Sequence, residues 1–157
     1  MINSREHNSG VSRQSFIVFL DSSVILSALA SPSGGSRKLL FAGTKGKLRL
    51  LTSSFVIEEV AKHLHKLGVK PTELEILLKK KVIRVISDAP RHIIQKFHSV
   101  IVDPDDAPIL AGAVLSGARV LVSLDKGHIL TDRVRKALKP LLVFSPKEFW
   151  EWVEKHR

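Results

Sequence analysis

Three aspartates in this chain stand where parallel α/β proteins keep their chemistry. Asp21 closes the apolar run Phe16-Ile17-Val18-Phe19-Leu20, and Asp125 lies just beyond Val120-Leu121-Val122. Asp106 opens the stretch Ala107-Pro108-Ile109-Leu110, and the loop before it also carries Asp103 and Asp105. Taken singly, each is more often a helix cap or a turn residue. In an open parallel sheet, however, ligands bind beyond the carboxyl ends of the strands, and there the acids would share one edge. Like charges so close raise each other's pKa unless a cation neutralises them. The chain has no Cys, so the donors are oxygens, which suit a hard ion such as Mg²⁺ or Mn²⁺. A metal held this way activates water and polarises a phosphoryl oxygen, which makes phosphodiester hydrolysis the chemistry to expect. It needs neither a serine nor a cysteine nucleophile.

The charge balance supplies a matching substrate class. Lys and Arg number 25 against 15 Asp and Glu, a formal net charge of +10 with a pI near 10.2. Such a surface attracts polyanions, so nucleic acid is the first partner to test. The runs Lys79-Lys80-Lys81 and Arg133, Arg135, Lys136 are candidate phosphate contacts, although each alone is equally a solvated basic face.

The elements that must position these residues alternate. At 157 residues the chain predicts a single domain, residues 16–157, behind a polar tail over residues 1–15 that has no apolar signal core. An apolar fraction of 44% and a charged fraction of 25% are those of a globular protein. No apolar run approaches the ~20 residues that span a bilayer, so neither a membrane span nor a membrane partner is expected. Strands are predicted at 16–20, 48–52, 82–86, 120–122 and 141–143. Helices are predicted from Ser22, through residues 36–41, from Ser54 to Leu67 ahead of Gly68, over 71–80 and 90–100, and from Asp105 to Gly117. Ser145-Pro146-Lys147-Glu148 reads as a capping box that launches a terminal helix. The fold class expected is α/β, a three-layer α/β/α sandwich around a central, mostly parallel sheet of about four or five strands.

With these segments in order, the sequence resembles the PIN-domain ribonucleases over roughly Phe16 to Val143. Phe-Ile-Val-Phe-Leu-Asp21-Ser-Ser-Val is similar to that family's first strand and its acid. Ser-Phe-Val-Ile-Glu58-Glu59-Val is similar to the helix bearing its Glu. Asp103-Pro-Asp105-Asp106-Ala-Pro-Ile-Leu matches its acidic loop, and Val-Leu-Val-Ser123-Leu-Asp125-Lys-Gly its fourth-strand ending. The resemblance implies a Mg²⁺- or Mn²⁺-dependent endoribonuclease of the cytoplasm, often the toxin of a toxin–antitoxin pair. It points to Asp21, Glu59, Asp106 and Asp125 as catalytic metal ligands, with Asp103 and Asp105 as further candidates and Ser22 and Ser123 as supporting polar groups. RNA, an antitoxin protein and a second copy of the chain are the partners it suggests. Gly127 stands where the family often has another Asp, which weakens the case for a second metal. The rival reading is a non-catalytic RNA-binding or scaffolding module that keeps the fold.

A helical wheel separates the two adjacent glutamates. With Val56, Val60, Leu64 and Leu67 as the buried stripe, Glu58 falls nearly opposite it, one favourable i,i+4 step from Lys62. Glu59 falls on the stripe's flank, where it can lean toward the strand ends. Other motifs dissolve on inspection. Ser23 stands where a haloacid-dehalogenase phosphatase needs its second Asp, and Ser-Gly-Gly-Ser-Arg-Lys lacks the P-loop spacing. His63 and His65 point to different sides of a helix, and His128 reads as a solvent-facing side chain. The stripe of Phe149, Trp150 and Val153 is expected to be core or a dimer contact, with Trp152 at an interface.

Overall fold

Five short apolar runs form one sheet in which every strand pairing is parallel. The structure is a computed structural model and describes residues 16–156; the segment read as a polar tail lies outside the described residues. In chain order the elements are β1 (Ile17–Leu20), α1 (Ser22–Ala30), α2 (Gly35–Thr44), β2 (Arg49–Ser53) and α3 (Ser54–His63). There follow α4 (Pro71–Lys79), β3 (Ile83–Ile86), α5 (Arg91–Gln95), α6 (Ala107–Leu115) and β4 (Val120–Val122). The chain then adds α7 (Asp132–Leu138), β5 (Leu142–Phe144) and α8 (Pro146–Lys155). Helices flank the sheet in a three-layer α/β/α sandwich, as expected from the alternation in sequence.

The central strands are buried on both faces, which is why they read as unbroken apolar runs rather than alternating ones. Val18, Phe19, Leu20, Val120, Leu121 and Val122 are all fully buried. Strand order is β3-β2-β1-β4-β5, so the chain winds one way from β1 through β3 and the other way from β4 to β5. The reversal falls between β1 and β4, the topological switch point where the carboxyl ends of two strands leave a crevice. Register pairs Leu20 with Val122, and Asp21 donates its backbone N–H to the Val122 carbonyl at 3.0 Å. The residues that follow β1 and β4 are thereby brought side by side.

Several expected elements shift or shorten. The helix read from Ser54 to Leu67 is α-helical only to His63 and tightens into a 3₁₀ turn over Leu64–Leu67, ending at Gly68 with φ 70°. Three residues per turn instead of 3.6 rotates the apolar stripe. Leu64 stays buried while Leu67 swings out to 47% exposure, contrary to its place on the predicted stripe. The helix read over 90–100 is α-helical only as α5, and residues 96–100 continue as turns. Ahead of α6 the acidic loop coils into a 3₁₀ turn, Pro104–Asp106, whose first amide is held by Asp103. The capping box at Ser145 and Glu148 forms as read.

Candidate active site

Each acid reaches the switch-point region from a different segment of the chain. Asp21 N-caps α1, its Oδ1 accepting the Ser22 amide at 2.8 Å. It is only 3% exposed. Its Oδ2 accepts the hydroxyls of Ser123 at 2.7 Å and Ser23 at 2.9 Å. Both hydroxyls are committed elsewhere as acceptors: Ser123 Oγ takes the Asp125 amide at 3.0 Å, and Ser23 Oγ the Leu124 amide at 3.0 Å. A serine has one proton to give, so each must donate it to Asp21, which is fixed as an acceptor. Burial pushes the Asp21 carboxyl above its ordinary range. The hydroxyls of Ser123 and Ser23 and the Ser22 amide oppose that rise, and the nearby Asp125 charge adds to it.

Glu59 comes from the second turn of α3 and is half-buried, whereas Glu58 beside it is exposed. Glu59 Oε1 is buried and has no hydrogen-bond partner. Burial raises its pKa first, then the charges of Asp21 and Asp106; the Ser22 hydroxyl and Lys62 oppose. Asp106 sits at the entry to α6. Burial is again the main cause of its raised pKa, with further push from Asp103 and Asp125 and an opposing hydrogen bond from His128. Asp125 follows β4, and its Oδ1 accepts the amides of Gly127 at 3.1 Å and His128 at 2.9 Å.

Of the four predicted ligands, only Asp106 shares a tight group of donor atoms, and its neighbours there are Asp103 and His128. Asp21, Glu59, Asp106 and Asp125 act on one another electrostatically from four separate segments. Asp103 lies beside Asp106, whereas Asp105 is exposed and outside that donor group. Ser123 and Ser22 lie against the acids as anticipated, Ser22 more loosely, its hydroxyl 3.5 Å from Asp21 Oδ1. Two residues were missed. Ser23 also donates to Asp21 Oδ2, at 2.9 Å, and its signal was the spacing: two residues into a helix whose cap is Asp21.

His128 was read as solvent-facing. It is partly exposed, but its Nδ1 lies 3.0 Å from Asp106 Oδ2 and 3.7 Å from Asp125 Oδ2. The turn that Asp125 closes with its own carboxylate carries the imidazole back over the acids. Donor atoms of Asp103, Asp106 and His128 lie within 4.8 Å of one another.

Oxygen donors, a single imidazole and a buried, unpartnered carboxylate oxygen fit a hard divalent cation. Without one, burying several carboxylates together is costly. The PIN domain profile matches residues 17–127. The chain belongs to the PIN domain family, whose members are generally nucleases. Among solved structures, the chain resembles PAE2754 from Pyrobaculum aerophilum with a TM-score of 0.58 at 17% identity, covering 88% of this chain and 96% of that one. It also resembles VapBC2 from Rickettsia felis, crystallised bound to a DNA fragment from its promoter. There the TM-score is 0.56 at 18% identity, covering 82% of this chain and 97% of that one. At such identities the likeness is one of fold. No curated protein matches the sequence.

Proposed function

We propose that this protein is a divalent-metal-dependent endoribonuclease, using Mg²⁺ or Mn²⁺ held by Asp21, Glu59, Asp106 and Asp125. The observation that carries the reading is the unpartnered, buried Glu59 Oε1 within a convergence of carboxylates at the switch point. When bound, the ion would activate water and stabilise charge on the phosphoryl group. The chain's own residues do the rest. Ser123 and Ser23 lock the Asp21 carboxylate with both protons directed at one oxygen, leaving Oδ1 with only the Ser22 amide and a long hydroxyl contact. His128 orients Asp106, its Nδ1 3.0 Å from Oδ2. Asp103 supplies further negative charge at the rim, and the cationic surface holds the strand.

The likeness to VapBC2 of Rickettsia felis supports placing the chain as the toxin of a toxin–antitoxin pair working in the cytoplasm. Among the described residues no helix is long and apolar enough to cross a membrane. The deciding experiment is cleavage of single-stranded RNA with Mg²⁺ or Mn²⁺, repeated in EDTA and with Asp21→Asn. Cleavage that requires the ion and Asp21 is expected. RNA bound but left intact by the wild type under every metal would favour the non-catalytic module and overturn the nuclease reading.

A further inference from the structure

The molecule has a second concave surface, at the opposite end of the sheet from the acids. A cleft of ≈ 430 Å³ opens where β2 and β3 begin, and Arg49, Lys80, Lys81 and Arg84 line it above Leu50 and Val82. Lys45 and Lys47, in the turn that leads into β2, stand beside it in sequence. Five residues of β2 at about 3.3 Å each place this cleft roughly 15 Å along the strand from the acid edge. It belongs to neither the acids nor the switch point.

The segments that build it are basic. No Asp or Glu occurs from residue 22 to 57 or from 76 to 87, the segments that build the cleft. Among the described residues the ion pairs are His128 with Asp106 and Asp125, and Arg135 with Glu148; none involves the four cleft cations. Arg135, by contrast, offers its fork to Glu148 at 3.1 and 3.2 Å, so the predicted Arg133–Lys136 run is weaker as a phosphate contact than it looks in sequence. Lys81, with a left-handed backbone at φ 57°, ends α4 at the cleft's rim, its amide and that of Val82 capping the Leu78 and Leu77 carbonyls. Cations gathered in a concavity whose own segments carry no acid suit a polyanion. The guanidinium forks of Arg49 and Arg84 match phosphate oxygens two at a time.

We propose that this cleft is a second nucleic-acid contact, binding RNA backbone phosphates at a distance from the acid cluster and so favouring substrates long enough to reach both ends of the sheet. The proposal rests on the RNA reading of the previous section but not on metal or cleavage, so it is tested in EDTA. A fluorescein-labelled RNA hairpin is titrated with the full chain and with Arg49→Gln/Lys80→Gln/Arg84→Gln, with melting temperatures confirming that both are folded. The variant is expected to bind about tenfold or more weakly at low salt. Its slope of log affinity against log salt should be shallower by about two to three, the phosphates no longer neutralised. Arg49→Lys/Arg84→Lys, which keeps the charge, should recover most of the slope. Tight wild-type binding with an unchanged affinity and slope in the folded triple variant overturns the cleft while leaving the RNA reading standing. An absence of wild-type binding overturns both. Displacement of the hairpin by poly-glutamate as effectively as by unlabelled RNA overturns the nucleic-acid assignment in favour of an acidic protein partner.

Discussion

Glu58 and Glu59 are adjacent and chemically identical, yet their surroundings give them opposite work. Glu58 is exposed, while Glu59 places a buried oxygen with no partner among carboxylates that raise its pKa. Such an oxygen is satisfied by a cation or by a proton, and at neutral pH the cation is the more useful partner. Glu59→Gln is therefore expected to lose most RNA cleavage and most of the metal-induced rise in melting temperature, with Glu58→Gln close to wild type in both. Rates in which Glu58→Gln is the crippled protein, or neither is, would reject the assignment. Ser123 acts one step further out. It gives its proton to Asp21 Oδ2 and accepts the Asp125 amide, so Ser123→Ala loosens two acids at once. Removing a hydrogen bond that orients a ligand typically costs about 10–100-fold in metal affinity, which titration calorimetry with Mn²⁺ would measure. A Kd unchanged in Ser123→Ala would mean that Asp21 is held by Ser23 and Ser22 alone.

At the scale of elements, the site was legible in sequence to the extent that it depends on strand ends and helix starts. Asp21 and Ser123 follow continuous apolar runs, and β1 and β4 formed where those runs were. Their adjacency could not be read from periodicity, because strand order is a property of the whole winding. His128 was lost for a different reason. Its position depends on the tight turn closed by the Asp125 carboxylate, a side-chain-to-backbone interaction that leaves no periodic trace. Leu67 was misplaced because a 3.6-residue wheel was carried through a turn of three. The same packing yields a stability prediction for α6, which must lie close to the sheet to deliver Asp106. A Cβ at Gly112 would stand 3.2 Å from Phe19 Cζ and 3.6 Å from Ser53 Cβ, with Phe19 fully buried and unable to swing aside freely. Gly112→Ala gains helix propensity, up to about 1 kcal/mol, but pushes α6 off β1 in a closely packed core, where overpacking costs about 1–3 kcal/mol. Chemical denaturation should show a net loss of stability, and metal affinity should fall with it as Asp106 is displaced. A Gly112→Ala protein as stable as wild type would show that the contact relaxes without moving the helix.

For the molecule as a whole, the acids make folding and metal binding depend on pH in opposite senses. Asp21, Glu59 and Asp106 all have pKa values raised above their unfolded values, chiefly by burial. Between the unfolded pKa, about 4, and each raised folded value, the folded chain binds more protons than the unfolded one. Their contribution to stability is thus fully present below pH ~4 and is lost as pH rises through the folded values. Glu148 works the other way: its hydrogen bond from Arg135 lowers its pKa, so its contribution is present above the unfolded value and lost on acidification. That pair is partly exposed to solvent and its effect is small. In EDTA, then, raising the pH from 5 to 7 should cost the wild type more stability than it costs Asp21→Asn, in which one of the buried charges has been removed. A divalent ion reverses the trend, since it binds only deprotonated carboxylates and stabilises the fold by mass action. Melting temperatures taken with and without 5–10 mM Mn²⁺, about the range in which a millimolar site would fill, should show a metal-induced rise that is larger at pH 7 than at pH 5. The rise should be much reduced in Asp21→Asn at both. A rise of equal size at the two pH values would mean that the ion sits elsewhere, on groups whose protonation does not change in that window, and the acids at the switch point would then need another explanation.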